Sequence, residues 1–205
     1  MSTQNLISNI EDFIKKVASI NDEKLKQLIQ ISTFSGRIKF CDQNFVKLKA
    51  GSSRIAYDYG GDLVLKLAKN EKGIAQNRTE ADGFIQQNYK EIVANVLDSD
   101  PNDLYIVAEK ATKITPSQFK QLSGFTMLNF YHYLIKKLEY RDKMEVEDFE
   151  KMENSEFVQE VLDLMVNMGM PSGDMGRISS WGKVKNRLVL IDYGLTKNIQ
   201  DEYYR

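Results

Sequence analysis

The chain has 205 residues, 42% of them hydrophobic, with 28 Lys and Arg against 29 Asp and Glu, one His and one Cys. Cys41 has no internal disulfide partner, and one Cys with one His falls short of the three or four nitrogen and sulfur ligands of a zinc site. The balanced charge, net -1, gives no basic footprint for nucleic acid or for an anionic membrane surface.

His132 lies in Tyr-His-Tyr-Leu, far from any Gly-rich elbow, so a nucleophilic relay through it has no support and carboxylates and lysines are left to carry chemistry. Glu11, Asp12, Lys15 and Lys16 interrupt the apolar residues near the N-terminus, and no uncharged run of about 18 residues occurs. These features predict neither signal peptide nor membrane span and point to a reducing cytoplasm. The length suits one domain, or one domain with an appendage.

Leu6, Ile7, Ile10, Phe13, Ile14 and Val17 recur at helical spacing, and Leu25, Leu28 and Ile29 resume it, which predicts an N-terminal helical hairpin. From Phe45 the texture becomes short apolar runs. Phe45 to Ala50, Arg54 to Tyr59 and Leu63 to Ala68 read as consecutive antiparallel strands, with Gly60-Gly61 as a hairpin turn. A helix is expected over Gly73 to Gln87, then strands over Ile92 to Leu97 and Leu104 to Glu109. Thr115-Pro116-Ser117 starts a helical stretch reaching about Tyr140. Glu145 to Glu156, with six carboxylates and one lysine, reads as a solvated loop or helix face. Phe157 to Met168 is an amphipathic helix. A loop follows from Pro171 to Arg177, then Lys183 to Arg187 as a polar hairpin turn, and Leu188 to Ile191 as a short buried strand.

Several positions carry chemistry. Gly51-Ser52-Ser53, between two strands, can turn backbone N–H groups and hydroxyls over a phosphate, or can be a plain turn. Strand alternation puts Lys66 on one face with Val64 and Ala68, either exposed or directed into a cleft toward an anion. Glu80, on the next helix, could pair with Lys66 or be an ordinary surface glutamate. Asp192 ends an apolar strand, a place from which a carboxylate can hold Mg²⁺, and Asp174 stands 18 residues earlier (192 minus 174). Trp181 reads as a packing anchor for the segment after Asp174.

The order and strand context of these residues resemble the protein-kinase-like superfamily, and in detail short phage-encoded kinase-like proteins. Gly51-Ser52-Ser53 is similar to the phosphate-covering turn, Lys66 to the third-strand lysine and Glu80 to its helix partner. Ile106 to Ala111 resembles the hinge, where backbone near Glu109 and Ala111 would meet adenine. Gly173-Asp174 resembles the catalytic loop of the aminoglycoside-kinase branch, and Asp192-Tyr193-Gly194 the Asp-Phe-Gly metal motif. The resemblance implies an α+β fold: a two-lobed, minimal kinase-like architecture with a five-stranded antiparallel N-lobe containing one helix, a truncated helical C-lobe and an N-terminal helical hairpin. Its divisions would be 1–44, 45–111 and 112–205. It implies ATP and Mg²⁺ as cofactors, with Asp192 and Ser179 near the metal, Asp174 and Lys66 as catalytic groups, and no nucleic-acid or membrane partner.

The chain departs from that pattern in four places. The turn has one glycine, Ser172 stands where the family has a His, and Ser179, followed by Ser180, stands where it has a metal-binding Asn. Only 11 residues follow Gly194 (205 minus 194), too few for an activation segment and peptide-docking helices. Two functions follow as expectations. One is phosphoryl transfer to a hydroxyl of a small molecule, a specific protein or the chain itself, Tyr203 and Tyr204 included. The other is a kinase-shaped protein that binds without catalysing, as a structural or regulatory part of a phage particle or phage-host complex, in the host cytoplasm or the virion.

Overall fold

The computed structural model describes residues 21–139 and 144–204. The expected helix over Leu6 to Val17 lies outside these residues. Residues 21–29 form helix α1, and Phe34–Asn44 form α2, capped by Thr33, whose hydroxyl accepts from the Gly36 amide. Strands β1 (Val46–Ala50), β2 (Arg54–Gly60) and β3 (Leu63–Ala68) follow, then helices α3 (Glu71–Glu80) and α4 (Gly83–Asn88), then β4 (Val96–Ser99) and β5 (Tyr105–Glu109). The architecture is α+β, with a five-stranded antiparallel sheet in the order β1-β2-β3-β5-β4. Gly60 and Gly61 both take positive φ at the β2-β3 turn, a conformation that a Cβ would strain.

Strand alternation gives the sheet two unlike faces. Ile55, Tyr57, Tyr59, Leu65 and Leu67 pack with Leu25, Leu28 and Cys41 of α1 and α2. Arg54, Ala56, Val64 and Lys66, of opposite parity, face a cleft instead. Each fully buried aliphatic side chain contributes about 1.5–3 kcal/mol, so α1 and α2 hold the sheet through real burial and not by tether alone. Tyr57 adds a polar link, its hydroxyl donating to Asp42 Oδ1 at 2.8 Å. Burial pushes the Cys41 thiol up to about 12. A thiol-specific disulfide reagent at about pH 7.5 is therefore expected to label the native chain roughly a hundredfold or more slowly than the chain in denaturant. Equal rates, followed by absorbance, would place Cys41 outside this core.

After β6 (Thr112–Lys113) come α5 (Pro116–Ser123), α6 (Met127–Leu138), α7 (Phe149–Glu153), α8 (Glu156–Met168) and α9 (Ser172–Met175), then β7 (Trp181–Val184), β8 (Arg187–Leu190) and α10 (Lys197–Tyr203). Strands β6, β7 and β8 form a second antiparallel sheet. A second core gathers Phe119, Phe130, Tyr133, Val158, Met165 and Trp181, among others.

Several expected boundaries shift, each for a local reason. The helix expected over Gly73 to Gln87 is two helices, because the Asp82 carboxylate accepts from the Phe84 and Ile85 amides and caps a new start. The stretch to Tyr140 also divides, at Gly124, which takes φ 85°, and at Thr126, which caps α6. The strand expected from Ile92 begins at Val96. The residues before it leave the sheet to bridge β8 in parallel, with the Ala94 amide donating to Leu190 O and the Leu190 amide to Ile92 O. The acidic segment contains α7, whose Met152 is fully buried.

Candidate functional site

The centre of the site is Glu80, at the end of α3 and fully buried. Its Oε2 accepts from Lys66 Nζ at 2.5 Å, and its Oε1 accepts from Arg54 Nη2 at 2.7 Å and from the Gly194 amide at 3.2 Å. Lys66 Nζ also donates to Ile191 O at 2.8 Å, and Arg54 Nη2 to Asp192 Oδ1 at 2.7 Å. One carboxylate thus joins β2, β3 and the segment after β8. Burial alone would push the Glu80 carboxyl up, but the Arg54 and Lys66 cations outweigh it and hold it below the usual carboxylate range. For Arg54, burial opposes the charge, and Glu80 and Asp192 prevail to keep it cationic.

Two glycines make this approach possible. A Cβ on Gly73 would lie 2.3 Å from Ser53 O, and one on Gly194 2.5 Å from Gln76 O, both backbone atoms. Helix α3 is therefore pressed against the β1-β2 turn at one place and against the Asp192-Tyr193-Gly194 segment at another. Tyr193 fixes the latter from below: its hydroxyl donates to Ala94 O at 2.9 Å and accepts from Gln86 Nε2 at 2.8 Å. Replacing Gly194 by Ala is expected to cost about 1–3 kcal/mol of stability through overpacking. Urea unfolding reads this, and an unchanged midpoint would show that the contact yields freely.

Above this floor opens a cleft of about 440 Å³, lined by Gly51, Ser52, Ser53, Arg54, Lys66, Glu109, Ala111, Asp174, Ser179 and Asp192, among others. Every sequence-derived site residue except Glu80 lines it, and Glu80 lies beneath, holding Lys66 and Arg54. The Ser53 hydroxyl donates to Gln76 Oε1 at 2.6 Å, so it is engaged with α3, while Ser52 stays exposed. Glu109 is also engaged: its carboxylate accepts from Arg187 at 2.6 Å and from the Asn95 amide at 3.0 Å. The Glu109 and Lys110 amides donate to Asn95 O and Asp62 O.

Asp174 sits in the single helical turn α9, where a loop is expected from sequence, and forms an ion pair with Arg177 at 3.1 Å. That turn is anchored by Trp181, whose indole N–H donates to Met175 O at 3.0 Å while the ring meets Phe119 and Phe130 edge-on. Ser172 lies in the same turn and donates to Glu139 Oε1 at 3.1 Å. Sequence reading gives Arg54 no role, although the structure makes it a second cation of the floor. The signal available was only its place as the first residue of a cleft-facing strand.

Among the described residues, no three His, Cys, Asp or Glu side chains gather as a metal cage. Asp192 alone still suits Mg²⁺, which takes one or two carboxylates and completes its shell with phosphate oxygens and water. Its side chain is 59% exposed and lines the cleft, as does Ser179.

No family model matches the sequence. No curated protein matches it either. Among solved structures, the chain is similar to a choline/ethanolamine kinase family protein from Mesorhizobium loti, at 14% identity over 84% of this chain and 64% of that one, with a TM-score of 0.37. It is also similar to the ADP-bound aminoglycoside phosphotransferase APH(2'')-Ib, at 13% identity over 76% of this chain and 68% of that one, TM-score 0.37. A gentamicin complex of APH(2'')-IIa gives 15% identity over 84% of this chain and 68% of that one, TM-score 0.38. The chain thus spans about two thirds of the length of these structures.

Proposed function

We propose that the cleft binds a nucleoside triphosphate and that the chain transfers its terminal phosphoryl group to a hydroxyl. The observation that carries this reading is Lys66, a cation held at the cleft floor between Glu80 Oε2 and Ile191 O, one residue from the exposed carboxylate of Asp192. A lysine fixed in this way presents its remaining donor to an anion without the entropy loss of a free side chain, and preorganised charge is what phosphoryl transfer needs most.

In this mechanism Lys66 neutralises the polyphosphate from below and the Gly51-Ser52 turn covers it. Since the Glu109 and Lys110 amides are engaged within the protein, contact of the backbone with the base falls to Ala111 and to carbonyl oxygens nearby. Asp174 accepts the proton of the acceptor hydroxyl as its oxygen attacks the γ-phosphorus. The bridging P–O bond breaks, and the nucleoside diphosphate leaves with its charge balanced by Lys66. Asp192, with Ser179 of the same cleft lining, would hold Mg²⁺, which when bound supplies further charge neutralisation to the phosphates.

A second reading, binding without transfer, is favoured by one observation: both cleft aspartates are already paired with arginines, Asp192 with Arg54 and Asp174 with Arg177. A thermal shift with ATP tests the binding common to both readings. At about 100 times Kd the ligand should stabilise the fold by about 2.7 kcal/mol, and no shift at millimolar ATP, with or without Mg²⁺, would sink both. Radiolabelled ATP then separates them: release of labelled phosphate or a labelled acceptor supports transfer.

A further inference from the structure

Arg54 holds Asp192 by the atom that also holds Glu80. Its Nη2 lies 2.7 Å from Asp192 Oδ1 and 2.7 Å from Glu80 Oε1, and Nη1 lies 3.3 Å from Asn77 Oδ1. The guanidinium is anchored, since its side chain is only 10% exposed, while Asp192 is 59% exposed and faces the cleft. Arg54 is therefore a fixed cation already seated at the carboxylate that a divalent ion would use. We infer that Arg54 and a divalent cation compete for Asp192, so that Arg54 sets how much metal the cleft needs. This rests on the nucleotide reading above.

The physical argument concerns a single carboxylate between two cations. A charge-assisted hydrogen bond from Arg54 neutralises Asp192 and lowers its attraction for a second positive charge. A metal that binds Asp192 must share or displace that bond. Displaced, Arg54 remains buried against Glu80, whose carboxylate also keeps Lys66 and the Gly194 amide, so the floor survives the exchange. In the absence of metal the guanidinium keeps the exposed Asp192 carboxylate neutralised, so that it does not repel a polyphosphate drawn to Lys66.

The test measures metal directly. Mn²⁺ stands in for Mg²⁺, and free Mn²⁺ is followed by electron paramagnetic resonance with ADP present, while ADP binding in EDTA is followed by calorimetry. Arg54→Met is expected to shift the Mn²⁺ midpoint about tenfold lower and to weaken ADP binding in EDTA about tenfold. Arg54→Lys, which keeps the charge, should stay nearer to wild type in EDTA than Arg54→Met does. Melting temperatures of both variants establish that they are folded, and if Arg54→Met is not, Arg54→Gln takes its place. An Mn²⁺ midpoint equal to wild type in a folded variant that binds ADP would overturn this inference alone. Failure of wild type to bind ADP in either buffer would overturn the nucleotide reading as well.

Discussion

Replacing Glu80 by Ala is expected to lower the stability of the chain by about 3–5 kcal/mol, because it leaves buried cations without their shared counter-charge. For a chain of this size that corresponds to a fall in Tm of roughly 6–20 °C. Arg54 would retain Asp192 and Lys66 would retain Ile191 O, but neither partner is as buried as Glu80. The pH dependence has a definite sign. The folded-state value of Glu80 is depressed, so its contribution is present above the unfolded value of about 4.3 and is lost as pH falls through the folded value. Wild type should lose stability on acidification below that point, and Glu80→Ala should lose less over the same interval. Thermal melts across the acid range check both. Parallel curves for the two proteins would show that Glu80 is not the group being titrated.

The second large effect concerns transfer. If Asp174 accepts the proton, Asp174→Asn should cut phosphate transfer by about 10²–10⁴ while nucleotide affinity stays within about twofold. The substitution preserves shape while removing the charge and basicity of the carboxylate, and Asp174 is paired solely with the largely exposed Arg177 among its described side-chain partners. Folding should therefore be little affected, since exposed ion pairs contribute about 0–1 kcal/mol. Transfer equal to wild type would refute the assignment and leave Asp174 a surface ion pair. Loss of transfer together with loss of nucleotide binding would instead place it in the nucleotide site.

The sheet was legible because alternation is local: in Leu63-Val-Leu-Lys-Leu-Ala every second residue declares a face, and Gly60-Gly61 declares the turn. Lys66, Glu80 and Asp192 were legible as candidates because each stands at a characteristic place on an element. The role of Arg54 was not. Its partner Asp192 lies 138 positions away, and nothing in the residues around Arg54 marks a contact at that distance. The departure of residues 92–95 from the sheet was hidden for a similar reason, since Ile92-Val-Ala has strand composition and only β8, nearly a hundred positions on, draws it away. The break at Asp82, by contrast, was present in Asp82-Gly83 as a capping signal. Short helix α7 was obscured by charge, because the six carboxylates around it outweigh one buried Met152.

Helix α3 is fixed at three places: at Gly73 against the Ser53 carbonyl, at Gln76 against Gly194, and at Glu80 through two cations and an amide. Swinging this helix outward would open two backbone contacts with no side chain between to cushion them and would separate buried charges in the same motion. Assembly of the charged floor is thus coupled to the seating of α3, since the motion that frees Lys66 from Glu80 also opens both backbone contacts. A ligand that enters from the cleft side would meet Lys66 already seated, because the helix that holds it is itself clamped at Gly73 and Gln76.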